Sequence, residues 1–288
     1  MSEAGTVNEA GTVAGPWPRD VLVVRGPDAV TFLQGQLSAD VVTLEPGRST
    51  LGLLLEPTGK LQALVRLWRT DEHTVVLDTD GGAGAAVQAR LRRFLLRTDA
   101  SIDVLDWECV VVRGPGAMDV DLDATGAELV GLGMWAGVEG VDLLGPAVSA
   151  PVPPARPASA ELLEAMRIEA GWPAFGAEVT DGVIPAEVGP WLITAAVSFT
   201  KGCYVGQELT ARIDSRGGNV PRHLRTTELP DGMDAAVGDD LVVAADPDDE
   251  PVGRVTSAAV DPRSGRTRVL GFVKRAVDPE VTLAVRSH

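Results

Sequence analysis

The apolar positions of the chain fall into short runs separated by turn residues. VLVVRG, from Val21, runs into a Gly-Pro turn and predicts a strand. DAVTFLQGQLSADV then sets Ala29, Phe32, Leu33, Gln36 and Leu37 at helical spacing, with Asp28 placed as the N-cap. STLGLLLEPTGKLQALVRLWR reads as two strands around Pro57, Thr58 and Gly59, a hairpin whose glycine is free to take a positive φ. TVVLDT predicts a further strand. AAVQARLRRFLLR predicts a helix that buries Val87, Leu91, Phe94 and Leu95 and turns Arg90, Arg92, Arg93 and Arg97 to solvent.

WECVVVRG repeats the texture of VLVVRG and suggests a weak duplication within the amino-terminal portion. The prolines at 146, 151, 153, 154 and 157 forbid a continuous helix or central strand and mark a linker over 145–158. SAELLEAMRIEAGWP follows as a helix capped by Ser159 and stopped at Gly171 before Pro173. Beyond an acidic stretch from Glu228 to Glu250, short segments such as PVGRVTSAAV and RVLGFVKR have the texture of a small β-barrel or sandwich. At the other end EAGTV occurs twice, at Glu3 and Glu9, among small residues that bury little, so 1–16 is expected to be a disordered tail.

A length of 288 residues with 45% hydrophobic residues suits two domains or one large one with an appendage. The formal net charge of −16 repels phosphate backbones at long range, which argues against general nucleic-acid binding and against attachment to anionic membranes. The start shows neither a basic region nor an apolar core, so a cytoplasmic protein with free thiols is expected. Three histidines and the widely separated Cys109 and Cys203 do not supply a metal ligand set of the usual spacing, and no metal site is expected.

Two places carry chemistry. Leu162, Met166 and Glu169 share one stripe of the capped helix, which puts a carboxylate where burial is expected. Its partner is either a core-edge arginine or a ligand with paired N–H donors. KGCYVGQELTAR holds the only tyrosine, Tyr204, and one of the two cysteines. Its glycines allow a sharp turn into a helix with Glu208 in the first turn and Arg212 spaced for an i,i+4 pair. Cys203 precedes that helix beside Lys201, which favours a thiolate, and a buried packing cysteine is the alternative. Arg212, Arg216, Arg222 and Arg225 then concentrate positive charge, suited either to an anionic ligand tail or to neutralising the acidic stretch.

KGCYVGQE resembles the signature of the YgfZ-type folate-binding proteins, in the superfamily of the glycine-cleavage T-protein. FLQGQLSADV, RIEAGWPAFGAEV, AVSFTKGCY and the closing barrel pattern extend that resemblance over nearly all the chain after the tail. It implies an α+β fold, a ring-like pair of intertwined α/β subdomains around a folate cavity (17–226), followed by a small C-terminal β-barrel (227–288). It further implies a tetrahydrofolate-binding accessory protein that supports iron–sulfur cluster assembly or repair, with folate and iron–sulfur enzymes or assembly proteins as partners. The folate-contacting carboxylate falls on Glu169 and the functional thiol on Cys203, with Lys201, Tyr204, Gln207, Glu208 and Arg212 as further ligand-binding positions. The aminomethyltransferases of the superfamily carry paired aspartates where this chain has Gln62 and Ala63, neither of which accepts a proton as a carboxylate does. That departure argues against glycine cleavage and leaves a folate-dependent one-carbon transferase with another base as the alternative.

Overall fold

The computed structural model describes residues 11–151, 155–246 and 250–286. The described chain opens with β1 (Val13–Pro16), β2 (Arg19–Arg25), α1 (Ala29–Gln36), β3 (Arg48–Leu55), β4 (Leu61–Arg69), β5 (Thr74–Asp80) and α2 (Gly84–Arg92). It continues through β6 (Ser101–Leu105), β7 (Glu108–Arg113), β8 (Leu129–Leu132), β9 (Gly140–Gly145), β10 (Arg156–Pro157) and α3 (Ala160–Glu169). Short helices α4 (Pro185–Val188) and α5 (Pro190–Ala196) precede α6 (Gln207–Ser215). The last strands are β11 (Arg222–Glu228), β12 (Asp240–Val243), β13 (Gly253–Val260), β14 (Thr267–Lys274) and β15 (Leu283–Arg286).

Among the described residues these strands make three five-stranded sheets, in the orders β3-β4-β5-β2-β6, β10-β1-β7-β9-β8 and β11-β14-β13-β12-β15. The first is antiparallel throughout and is buried on both faces. Val21 and Val23 point into a core shared with the second sheet and α3, while Leu22 and Val24 point to α1 and α2 and meet Phe32, Leu33, Val87 and Leu91. A strand with two dry faces reads as an unbroken apolar run, which is why VLVV lacks polar alternation. The third sheet closes a smaller core of Leu229, Leu241, Val255, Val269 and Val273. No helix among the described residues is long and apolar enough to cross a membrane.

The second sheet corrects the reading of the amino-terminal tail. Residues 1–10 lie outside the described residues, but Val13–Pro16 is a strand, antiparallel to β7 and parallel to β10. Val13 and Ala14 are buried there, because partners from distant sequence supply the apolar surface that the tail itself lacks. The proline-rich linker contributes Arg156–Pro157 to the same edge, while its prolines at 153 and 154 fall outside the described residues.

α2 is also shorter than the apolar pattern suggests. It ends at Arg92, so Phe94 rotates off the buried stripe and is exposed. Arg90, expected in solvent, is buried, with its guanidinium 4.2 Å from the Phe94 ring centre. Asp28 does not cap α1; its Oδ2 accepts instead from the Asp99 amide at 2.8 Å. α2 is capped from outside, where Asp20 Oδ2 accepts from the amides of Gly82 and Gly84.

Between the first two sheets runs a buried ladder of charges. Arg19 and Arg66 both donate to Asp78, Arg66 reaches on to Asp142 at 2.8 Å, and Arg113 meets the other oxygen of Asp142 at 2.5 Å. Trp68 Nε1 donates to Asp78 at 2.5 Å, and the guanidiniums of Arg66 and Arg113 lie over the rings of Trp68 and Trp135. Every carboxylate in the ladder has charged donors on both oxygens, which is what makes burial of so many charges tolerable.

Candidate functional site

α3 is built as its sequence demands. Ser159 takes an extended conformation and its Oγ accepts from Leu162 N at 3.2 Å, and Gly171 leaves the helix at φ +64°. Leu163, Met166 and Ile168 are buried, and Arg167 is buried as well. Its guanidinium donates to the carbonyl of Trp172 at 2.5 Å, to Glu178 at 3.2 Å and to Ser257 of β13 at 2.8 Å. Glu178, fully buried, also accepts from Ser257 at 2.7 Å, so this pair fastens α3 and its following turn to the third sheet.

Glu169 closes the helix. Leu162, Met166 and Glu169 do line one cavity of about 480 Å³, yet the carboxylate is 40% exposed and not buried as its stripe implied. Helical phase fixes its direction, but that direction opens onto the β13–β14 turn, which holds the cavity ajar. Arg263 Nη2 donates to Glu169 Oε2 at 2.5 Å, and Arg268 Nη2 lies 3.5 Å from Oε1. Both arginines are also held by the buried Asp261: Arg263 Nε at 2.9 Å from Oδ1, Arg268 Nε at 3.0 Å from Oδ2. Burial opposes ionisation of Asp261, but these arginine bonds outweigh it and hold the carboxyl at about 2. Val13 adds an apolar wall and Arg156 a further cation. Arg156, Asp261, Arg263 and Arg268 were not singled out in the sequence; DPRSGR signals a turn, and only the fold shows where it is aimed.

The octet turn packs elsewhere. Lys201 Nζ donates to the carbonyls of Gln34, Leu37 and Ala39 at 2.5, 2.6 and 2.7 Å, closing the end of α1, and lies over the Tyr204 ring. Burial lowers its pKa to about 8. The lysine is thus committed to α1, and Cys203 lies outside α6, which begins only at Gln207. Gln207 Oε1 accepts from Tyr204 N at 3.3 Å, which tightens the turn. Glu208 stands in the first turn of α6 as expected, but no ion pair among the described residues joins it to Arg212. Two of the downstream arginines have partners outside the acidic stretch: Arg222 pairs with Glu187, and Arg225 donates to carbonyls of Asp278, Pro279 and Val281. Glu228 and Asp231 are met instead by Arg266 and Arg268.

Gln62 and Ala63 separate across β4. Ala63 is buried against the α1–α2 core, while Gln62 lines a cavity with Glu56, Phe175 and Asp181, its buried Oε1 without a hydrogen-bond partner. The Glu169 cavity includes neither Gln62 nor any residue of the octet turn. The structure therefore groups Leu162, Met166 and Glu169, and it places Lys201, Cys203, Tyr204, Gln207, Glu208 and Arg212 apart from them.

The two thiols give a direct check on this layout. Cys203 is exposed; Cys109 is buried, and burial pushes its thiol up to about 12. With iodoacetamide at pH 8, mass spectrometry is expected to show a single adduct, on Cys203, with Cys109 modified only after unfolding. Equal labelling of both thiols in the native protein would contradict the placement of β7 in the core.

The fold is thus three five-stranded sheets, with a glycine-bracketed turn seated on the β3–β4 hairpin. The aminomethyltransferase T of the glycine cleavage system from Bartonella henselae superposes with a TM-score of 0.76 over 98% of this chain and 86% of that one, at 19% identity. A tRNA-modifying protein YgfZ from Edwardsiella ictaluri is 30% identical over 68% of this chain and 65% of its own length. An aminomethyltransferase from Streptomyces coelicolor is 23% identical over 88% of this chain and 76% of its own. No family model matches. The chain is similar in sequence to YgfZ-type proteins and to aminomethyltransferases, and it shares the fold of the glycine-cleavage aminomethyltransferase T.

Proposed function

We propose that the chain binds a reduced folate, tetrahydrofolate, in the cavity built on Glu169, and that it serves in the cytoplasm as an accessory to the assembly or repair of iron–sulfur enzymes. One observation carries the ligand reading. An acceptor carboxylate stands in a cavity lined by apolar Val13, Leu162 and Met166 and by the cations Arg156, Arg263 and Arg268, the last two also bonded to Asp261 in its wall. A reduced folate offers the matching parts: a flat pteridine edge with paired N–H donors, an apolar middle and an anionic glutamyl tail. Arg263 already places a planar N–H donor against Glu169, so the residues present fit such an edge. When bound, the folate supplies nitrogens able to carry a one-carbon unit.

In this reading the two α/β subdomains of 17–226 form the ring around the ligand, and 227–288 is the C-terminal barrel that contributes Arg263 and Arg268. The octet turn is the second working surface. Lys201, Tyr204, Gln207, Glu208 and Arg212 shape it, and Cys203 is its exposed functional thiol, presented to iron–sulfur clients. With a net charge of −16, any connection to tRNA runs through those partners and not through direct contact. A one-carbon transferase ranks behind this reading, since Gln62 and Ala63 offer no base in the position where carboxylates serve the aminomethyltransferases.

Calorimetric titration with tetrahydrofolate tests the ligand reading. Glu169→Gln is expected to weaken binding roughly 10- to 100-fold, the range for losing a charge-assisted hydrogen bond. Equal affinity in wild type and variant would remove Glu169 from the site.

A further inference from the structure

We infer that Arg263 is a displaceable stand-in for the ligand: its guanidinium occupies the carboxylate edge of Glu169 that a pterin must take over, and so sets both the affinity and the selectivity of the cavity. The inference rests on the folate reading above and deepens it. Three observations lead to it. Arg263 Nη2 sits 2.5 Å from Glu169 Oε2, a position that the pterin edge would need for itself. The guanidinium is not dependent on Glu169, because Asp261 Oδ1 accepts from its Nε at 2.9 Å and Asp261 Oδ2 from its Nη2 at 2.7 Å. Both side chains of the Arg263–Glu169 pair are 40% exposed, which makes it a weak contact beside the Asp261 anchor, itself 1% exposed.

The arrangement is therefore lopsided. One partner of Arg263 is buried and receives three bonds from the guanidinium and one from the Arg263 amide; the other is 40% exposed and receives one. Letting go of Glu169 leaves the guanidinium satisfied by Asp261, so the exchange costs little. Arg268 is placed in the same way, since it keeps Asp261 at 3.0 Å and Glu228 at 2.9 Å if it leaves the other oxygen of Glu169. A ligand gains entry only by presenting N–H donors good enough to replace a guanidinium. A planar ring lacking that edge leaves Arg263 in place and is refused, which is selection by an internal competitor.

This predicts a gain of affinity from deleting a cation that lines the cavity. The probe is 6-methyltetrahydropterin, which has the donor edge and no carboxylate tail, so that any role of Arg263 in holding a tail does not enter. Arg263→Met in the full chain is expected to bind it about fivefold more tightly than wild type, the worth of an exposed ion pair. In the Glu169→Gln background the same substitution is expected to change nothing. Arg263→Lys, which keeps a charge for Asp261 but no planar fork, is expected to bind more tightly than wild type as well, and it carries the test if the methionine variant melts early. Equal or weaker binding of the pterin by both Arg263 variants, with tetrahydrofolate still bound by wild type, overturns the stand-in role and leaves the folate reading intact. Absence of binding of either compound by wild type and all variants overturns both.

Discussion

Asp78→Ala is expected to destabilise the fold by about 3 to 5 kcal/mol, the range for leaving buried charges without their partner. Asp78 is fully buried and serves Arg19, Arg66 and the indole of Trp68 together, so its loss takes a shared carboxylate from two buried guanidiniums at once and leaves Arg19 with Asp80 and Arg66 with Asp142. At about 2 to 4 °C per kcal/mol for a chain of this size, the thermal midpoint is expected to fall by about 10 °C. The same group has a pH signature. Burial alone would raise its pKa, but Arg19 and Arg66 overcome that and hold it at about 2, below the unfolded value of about 3.9. A depressed carboxyl stabilises the fold above its unfolded pKa. That contribution is therefore intact near neutrality and drains away as the pH falls from about 5 towards 2. Denaturation curves for wild type and variant should converge through that window. A gap that stays constant down to pH 2 would show that ionisation of Asp78 is not what holds the ladder.

Gly206→Ala is expected to cost about 2 to 4 kcal/mol, combining a left-handed backbone with overpacking. Gly206 has φ +82°, and an added Cβ would lie 2.4 Å from the carbonyl oxygen of Glu56 and 2.8 Å from the Leu55 Cβ. Gly59, at φ +81° in the opposing hairpin turn, is pressed from the other side, its own added Cβ meeting the Leu209 Cβ at 2.4 Å. The two glycines face each other across one contact, so the double variant should cost less than the sum of the singles, because a turn pushed away once is not pushed away twice. Chemical denaturation of the four proteins gives the cycle. A Gly206→Ala variant within about 0.5 kcal/mol of wild type would show that backbone approach is not the reason for glycine there.

What the sequence made legible is what is local. The β3–β4 hairpin, the α3 cap at Ser159 and the start of α6 follow from turn chemistry and spacing within a few residues of themselves. The charge ladder had no such signature, because Arg19, Arg66, Asp78, Arg113 and Asp142 come from five different strands and meet only after two sheets pack. Glu169 shows the boundary well. Helical phase gave its neighbours Leu162 and Met166 correctly, but its exposure is decided by arginines of a turn roughly a hundred positions later. The hydrogen-bond partners of Lys201 were hidden from the sequence for a related reason. Adjacency in sequence suggested Cys203 as its concern, whereas three carbonyls at the end of α1 offer an ammonium far more than a nearby thiol does.

The pairing of β1 has a consequence in time. Val13–Pro16 lies between β7 and β10, while the very next strand, β2, belongs to the other sheet. During synthesis the first sheet can close once β6 has emerged, but β1 must wait for Arg113 and then for Arg156 before its two edges are filled. Contacts spanning that much chain close slowly, and a nascent protein folding from its amino terminus would hold a finished first sheet beside an unsatisfied leading strand. Refolding should accordingly show an early phase that protects amides of β2–β5 from hydrogen exchange and a later one that protects Val13–Pro16 and β7 together.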